Sequence, residues 1–224
     1  MKKLLLIIPV VVCAVAAHGQ FLLKAGLSAA TTATDNPDGS DLKEQLKAGF
    51  LAGAGYQLTF GNFAVQPELL FVQKGSTVKS SFVDGPVSIN ETTKVTLNYL
   101  ELPVLFRYMF GPDALRIFVN AGPSFAVGLS GKGSYEASID LGNGPVNENY
   151  DFKIKFENEP EGYEGNDLYI ENKTDVGLQL GGGVIVADKI MIDLRYGMGF
   201  SDWGNEKNTK NRALQLSVGI LLGR

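Results

Sequence analysis

The segment IMIDLRYGMGF, residues 190–200, alternates between two kinds of side chain. One set is large and apolar: Ile190, Ile192, Leu194, Tyr196, Met198 and Phe200. The residues between them are mostly charged or small: Met191, Asp193, Arg195, Gly197 and Gly199. A period of two residues is typical of a β-strand whose two faces meet different surroundings.

Eight such segments predict an all-β chain: residues 21–32, 47–60, 63–77, 94–110, 115–130, 173–187, 189–203 and 211–222. Each is long enough for the roughly 9–11 residues that a tilted strand needs to cross membrane hydrocarbon. The predicted connections are alternately long and short. The long ones are 33–46, 78–93, 131–172 and 204–210, and the short ones are 61–62, 111–114 and a turn around Asp188. Transmembrane barrels show this asymmetry, with short periplasmic turns and longer extracellular loops.

The width of a small barrel decides which face of each strand points outward. An eight-stranded barrel has an interior only just wide enough for side chains, so the bulky apolar set would overfill it. Those residues must therefore face outward, into lipid, and the sheet must close because open edges in hydrocarbon leave backbone groups unpaired. We predict an eight-stranded antiparallel transmembrane β-barrel. The rival fold is a soluble, lipocalin-like ligand-binding barrel with its apolar set inside.

The N-terminal stretch MKKLLLIIPVVVCAVAAHGQ has two lysines, an apolar run and then small residues. This order predicts a secretory signal peptide, and the apolar run is too short for a membrane-spanning helix. We assign residues 1–19 to the signal and 20–224 to the barrel domain, in a bacterial outer membrane. A lipid anchor at Cys13 would want a small residue before it, where Val12 stands.

Composition removes several kinds of chemistry. The chain has one cysteine, Cys13, and one histidine, His18, and both fall in or beside the predicted signal. The barrel domain thus lacks disulfides, a thiol nucleophile and the commonest general base and metal ligand. A net charge of −4 without a basic stripe argues against nucleic acid. We predict no enzymatic activity, no cofactor and no metal site.

Five charged residues belong to the inward set of the predicted strands: Glu68, Glu101, Arg107, Asp193 and Arg195. Charges in a narrow lumen must pair or meet water. We interpret these residues as a structural polar cluster that fills the lumen. The alternatives are a proton or solute pathway and a catalytic carboxylate pair, Glu68 with Glu101. The second is disfavoured because neighbouring arginines would keep both carboxylates ionised.

Aromatic residues gather near the predicted strand ends, where interfacial girdles of barrels lie. The predicted girdle consists of Phe60, Phe63, Tyr108, Phe110, Phe200 and Trp203. The longest predicted loop, 131–172, is acidic, with ten Asp or Glu and three Lys. Parts of it alternate, which predicts a hairpin above the membrane. Its carboxylates are the ligand type of calcium, but the spacing fits no known calcium loop, so a solvated surface is favoured.

Three motifs resemble the PorT-type outer-membrane β-barrel family of Bacteroidetes: VQPELLFVQKGS, LNYLELPVLFRY and VNAGPSFAVG. They include Gln66-Pro67-Glu68, Tyr99 to Pro103, and Ala121-Gly122-Pro123. The resemblance implies a porin-like outer-membrane barrel, and a named member of the family assists protein secretion. We therefore expect a monomer in outer-membrane lipid, with a structural role or a protein partner at its extracellular loops, notably 131–172. The alternative is an accessory to transport or secretion.

Overall fold

The computed structural model describes residues 19–34, 43–202 and 209–223. They form one antiparallel sheet with a short parallel addition, built from ten strands. The strands are β1 (Gly19–Thr34), β2 (Lys43–Phe60), β3 (Phe63–Asp84), β4 (Val87–Phe110), β5 (Leu115–Leu141), β6 (Pro145–Lys155), β7 (Leu168–Tyr169), β8 (Thr174–Val186), β9 (Ile190–Gly199) and β10 (Thr209–Leu222).

Eight of these strands close into a barrel. Neighbours in sequence pair from β1 to β5, β5 then pairs with β8, and β8, β9 and β10 follow. The first and last strands close the ring, with Phe21 opposite Leu222 and Thr34 opposite Thr209. Closure satisfies the backbone groups that hydrocarbon cannot.

The strand count and the loop lengths differ from the prediction. Eight strands form the barrel as expected, but β6 and β7 lie within the predicted loop 131–172. The predicted loop 78–93 is wrong: β3 and β4 continue through it to a turn at Gly85-Pro86. Gly85 has a φ of +57°, and glycine at the first turn position permits a two-residue hairpin of the II′ kind. Of the predicted loops 33–46 and 204–210, residues 35–42 and 204–208 lie outside the described residues.

The extra length of the central strands forms a projecting sheet beyond one end of the barrel. It contains the ends of β3 and β4, the second half of β5, and β6. The 27 residues of β5 far exceed the roughly 9–11 that cross a bilayer. The other end of the barrel has only short turns, such as Gly61-Asn62 between β2 and β3.

The two faces of each barrel strand have opposite surroundings. In β4 the side chains of Leu100, Leu102 and Phe106 are exposed, whereas those of Tyr99, Glu101 and Arg107 are buried. The same alternation holds in β9 and β10. Large apolar side chains therefore cover the outside of the barrel, and polar ones lie inside, which is the reverse of a soluble barrel's arrangement.

Inward glycines let neighbouring strands approach closely. A Cβ added at Gly183 in β8 would lie 2.0 Å from the backbone oxygen of Ile192 and 2.8 Å from the Phe118 ring. We predict that Gly183→Ala destabilises the barrel by about 1–3 kcal/mol, since the backbones must separate. The measurement is urea unfolding in bilayers, followed by heat-modifiable gel mobility.

Gly197→Ala is the matched control, because it also replaces an inward glycine in the adjacent strand. A Cβ at Gly197 would meet nothing closer than 3.8 Å, so this change should leave the unfolding midpoint almost unchanged. Equal losses for the two variants would contradict the close approach.

Candidate functional site: the filled lumen

The lumen contains two groups of ionic side chains, one above the other along the barrel axis. The central cluster consists of Lys24, Glu68, Arg107, Asp193 and Arg195, all buried. The upper cluster, nearer the projecting sheet, consists of Lys74, Tyr99, Glu101, Asp175 and Asn211, also buried. Inward alternation of six strands brings these residues together.

Arg195 is the hub of the central cluster. Its guanidinium donates two hydrogen bonds to Glu68, Nη1 to Oε2 at 2.7 Å and Nη2 to Oε1 at 2.8 Å, and it also contacts Asp193. Lys24 Nζ lies 3.2 Å from Asp193 Oδ2 and 3.5 Å from Glu68 Oε2. The amide of Gln66 donates a further hydrogen bond to Glu68. A bidentate pair of this kind fixes both groups geometrically and stabilises buried charge.

The sequence predicts that an inward arginine neighbours a carboxylate, but Arg107 lies against an amide and an aromatic ring. Its Nη1 donates to Gln57 Oε1 at 2.7 Å, and its guanidinium carbon lies 3.9 Å from the centre of the Phe118 ring. The cation therefore stacks on an aromatic face and does not form an ion pair with a carboxylate among the described residues.

The upper cluster depends on Lys74. Its Nζ lies 3.3 Å from Glu101 Oε1 and 3.5 Å from Asp175 Oδ2, and 5.1 Å from the centre of the Tyr99 ring. Asn211 Nδ2 donates to Asp175 Oδ2 at 2.9 Å. Glu101 thus contacts a lysine, whereas the sequence predicted an arginine beside it.

The clusters carry opposite excess charge. The central cluster contains three cations and two carboxylates, and the upper cluster contains one cation and two carboxylates. Together the described ionic side chains of the lumen balance, which limits the cost of enclosing them. Glu68 and Glu101 lie in different clusters, so the structure does not bring the proposed carboxylate pair onto a shared partner.

Apolar plugs close the lumen above and below the ionic layers. Near the short turns the plug consists of Leu22, Ala64, Met109, Phe118, Ile185, Met191 and Leu221. Near the projecting sheet it consists of Val95, Leu97, Tyr99, Ala126, Ile154, Phe156 and Ile170. Phe156 and Ile170 come from the segment after β6, and the Phe156 ring lies 5.4 Å from that of Tyr99. The chain therefore folds back to cover its own lumen.

Four of the predicted girdle aromatics lie together at the short-turn end. Phe60 is opposite Phe63, Phe63 is opposite Tyr108, and the rings of Phe63 and Tyr108 are 4.9 Å apart. Phe110 lies 6.3 Å from Tyr108, measured between ring centres. Phe200 is exposed at the other end, and Trp203 lies outside the described residues.

The projecting sheet carries polar contacts of its own. The hydroxyl of Tyr135 donates to Glu91 Oε1 at 2.6 Å, and this carboxylate raises the pKa of Tyr135 to about 12. Lys155 lies 3.0 Å from both Tyr169 Oη and Asp167 Oδ2, and its ammonium lowers the pKa of Asp167. Among the described residues, no three Asp, Glu, His or Cys side chains are grouped to hold a metal.

Within residues 19–34, 43–202 and 209–223, no helix is both long enough and apolar enough to cross a bilayer.

The family described as outer membrane protein beta-barrel domain matches residues 19–204, and the chain belongs to that family. The protein is therefore an outer-membrane β-barrel protein, located in the bacterial outer membrane. No curated protein matches the chain.

Among solved structures, the chain is similar to the attachment invasion locus protein Ail of Yersinia pestis, with 15% identity over 92% of this chain and 99% of Ail, and a TM-score of 0.40. Neisserial surface protein A has 15% identity over 90% of this chain and 96% of its own length, with a TM-score of 0.41. OprG of Pseudomonas aeruginosa has 12% identity over 92% of this chain and 97% of its own length, with a TM-score of 0.36. The family assignment rests on the family match and not on these likenesses.

The buried ion pairs should matter far more than the exposed ones. Glu68→Gln removes one of the two carboxylates that Arg195 and Lys24 share and leaves both cations with Asp193 alone. Removing one partner of a buried pair costs about 3–5 kcal/mol. We expect a loss of stability of that order in urea unfolding within phosphatidylcholine bilayers.

The control is Glu136→Gln, which breaks the exposed pair between Lys94 and Glu136, at 2.8 Å. Exposed pairs contribute about 0.2–1 kcal/mol, so this variant should unfold almost as the parent does. Similar losses from both variants would show that the lumen pairs do not stabilise the barrel.

Proposed function

We propose that this protein is a non-enzymatic outer-membrane barrel that acts through its projecting sheet, with a lumen that does not conduct. The lumen supports the second part, because two apolar plugs enclose two ionic layers, and the cavity beside Lys74, Glu101 and Asp175 has a volume of only about 10 Å³. In the lumen, lysine and arginine pair with Glu101 and Glu68, and a carboxylate held in an ion pair is poorly suited to proton transfer.

The observation that carries the interaction role is the exposed edge of β6. On one side β6 pairs with β5 from Pro145 to Ile154, and on the other, among the described residues, only β7 pairs with it, at Ile154 and Lys155. Most of β6 is exposed. An edge strand presents unpaired backbone groups to which another chain can hydrogen-bond.

The orientation belongs to the same proposal. Barrels of bacterial outer membranes have short turns on the periplasmic side and longer connections outside, so the projecting sheet is placed outside the cell. Export by the signal at residues 1–19 and a monomeric state are further parts of it. The motifs around Glu68, Glu101 and Pro123 support placement in the PorT-type branch of Bacteroidetes.

The aromatic girdle and the structural role of the lumen cluster are also proposed. Phe60, Phe63, Tyr108 and Phe110 are positioned where rings meet lipid headgroups at the short-turn end. Glu68, Glu101, Arg107, Asp193 and Arg195 fix the register of distant strands and fill space.

A conductance measurement tests the filled lumen. Heat-modifiable, detergent-purified protein should produce no discrete current steps in planar phosphatidylcholine bilayers, because the apolar plugs leave no continuous aqueous path. Reproducible steps of a single amplitude would contradict the proposal and favour a transport role.

A shortened variant tests the projecting sheet. Tyr135 is directly opposite Tyr150, so replacing residues 136–149 with Asn-Gly joins them by a tight two-residue turn. The barrel pairings of β5 with β4 and β8 below Leu129 are untouched, so the variant should remain heat-modifiable.

The readout is amine cross-linking on intact cells, since residues 136–149 contain no lysine and both proteins keep the same reactive groups. The parent should form a discrete adduct with a second protein, and the shortened variant should lose it. An identical adduct from both proteins would place the contact elsewhere.

A further inference from the structure

Four lysines line one cleft on the flank of the projecting sheet, in a protein whose net charge is −4. We call this group, Lys47, Lys94, Lys132 and Lys153, the lysine cleft. It encloses a cavity of about 480 Å³. Two aspartates, Asp151 and Asp167, also line it, so the cations outnumber the carboxylates by two to one.

The register places two of these cations face to face. Lys132 in β5 is directly opposite Lys153 in β6, and like charges at opposed positions of a sheet are destabilising. Neither lysine has an ion pair among the residues that the structure describes. Two of the other four charges of the cleft are engaged: Lys94 pairs with Glu136 at 2.8 Å, and Asp167 pairs with Lys155 at 3.0 Å. An anion between Lys132 and Lys153 would remove the repulsion.

The height of the cleft above the membrane hydrocarbon can be counted in rows of outward side chains along β4 and the strands beside it. The last apolar row on the outer face pairs Leu100 with Val127. The next row is polar: Gln73 donates to Asn98, and Asn98 donates to Ser130, each at 3.1 Å. The row after that is Thr96, Lys132 and Lys153.

Two rows correspond to about 13 Å along a strand, or about 10 Å along the membrane normal at a tilt of roughly 40°. The headgroup layer extends about 5–8 Å beyond the hydrocarbon on each side, and lysine side chains reach several ångströms towards it. The ammonium groups of Lys132 and Lys153 therefore lie at headgroup level.

We propose that the lysine cleft binds the phosphate of a lipid headgroup in the leaflet at the projecting end of the barrel. The cleft lined by both lysines has room for a compact anion, and the exposed apolar side chains of Leu100, Val127 and Leu129 lie on its membrane side. This apolar continuation favours a lipid over free phosphate as the source of the anion. The inference requires only the membrane location and not the proposed interaction role.

The test is native mass spectrometry of protein released from micelles that contain equal amounts of phosphatidylcholine and phosphatidic acid. Phosphatidic acid is the simplest lipid with an exposed phosphate. The parent protein should retain phosphatidic acid preferentially. Two lysines beside an anionic surface together strengthen binding about tenfold or more, so Lys132→Gln with Lys153→Gln should reduce this preference by about that factor.

Three controls make the outcome decisive. Lys79→Gln removes an exposed lysine of the same outer face one row above Lys94, and it should keep the parental preference. Lys132→Arg with Lys153→Arg preserves the charge and should keep it too. Heat-modifiable mobility shows that each variant is folded, which separates loss of binding from loss of the barrel.

Two results would overturn the proposal. One is an unchanged preference for phosphatidic acid in the folded double glutamine variant. The other is displacement of the bound lipid by inorganic phosphate at an equal concentration, which would show that the cleft recognises the anion without its lipid.

Discussion

The structure depends on one constraint: hydrocarbon offers no hydrogen-bonding partner to the backbone, so the sheet must close on itself. Closure through eight strands fixes a narrow lumen. The narrow lumen has room for the two apolar plugs and the ionic layers between them, so the remaining bulky apolar side chains lie outside, against lipid. Glycines such as Gly183 leave space for the inward side chains of neighbouring strands. The alternation of exposed and buried residues in β4, β9 and β10 is the result.

Charged side chains inside such a lumen are stabilised by pairing, and their partners come from distant parts of the chain. Glu68 of β3 meets Arg195 of β9, 127 residues away, and Lys24 of β1 contacts both Glu68 and Asp193. A shift of any of these strands by two residues would separate the groups and leave buried charges unpaired. The structural role proposed for the ionic layers thus includes specifying register as well as filling space.

Periodicity was sufficient to predict the barrel strands, because a period of two is a local property of the sequence. The partners of the inward charges were harder to predict. Lys24, Lys74 and Asp175 also alternate inward, but their contacts depend on the stagger of strands far apart in sequence. The Gly85-Pro86 turn was missed although glycine followed by proline between alternating runs is a hairpin signal. The apolar cap formed by Phe156 and Ile170 has no periodic signal, since it comes from an irregular segment.

The continuity of β4 and β5 has a mechanical consequence. Both strands run from the barrel wall to the tip of the projection, and their ladder extends from Val87 opposite Leu141 down to Phe110 opposite Ile117, with one register shift between Asn98 and Tyr99. A pull on the tip is directed along the strands, so the cross-strand hydrogen bonds are sheared together instead of opening one after another. A force applied to the projection is thus carried directly to the barrel wall.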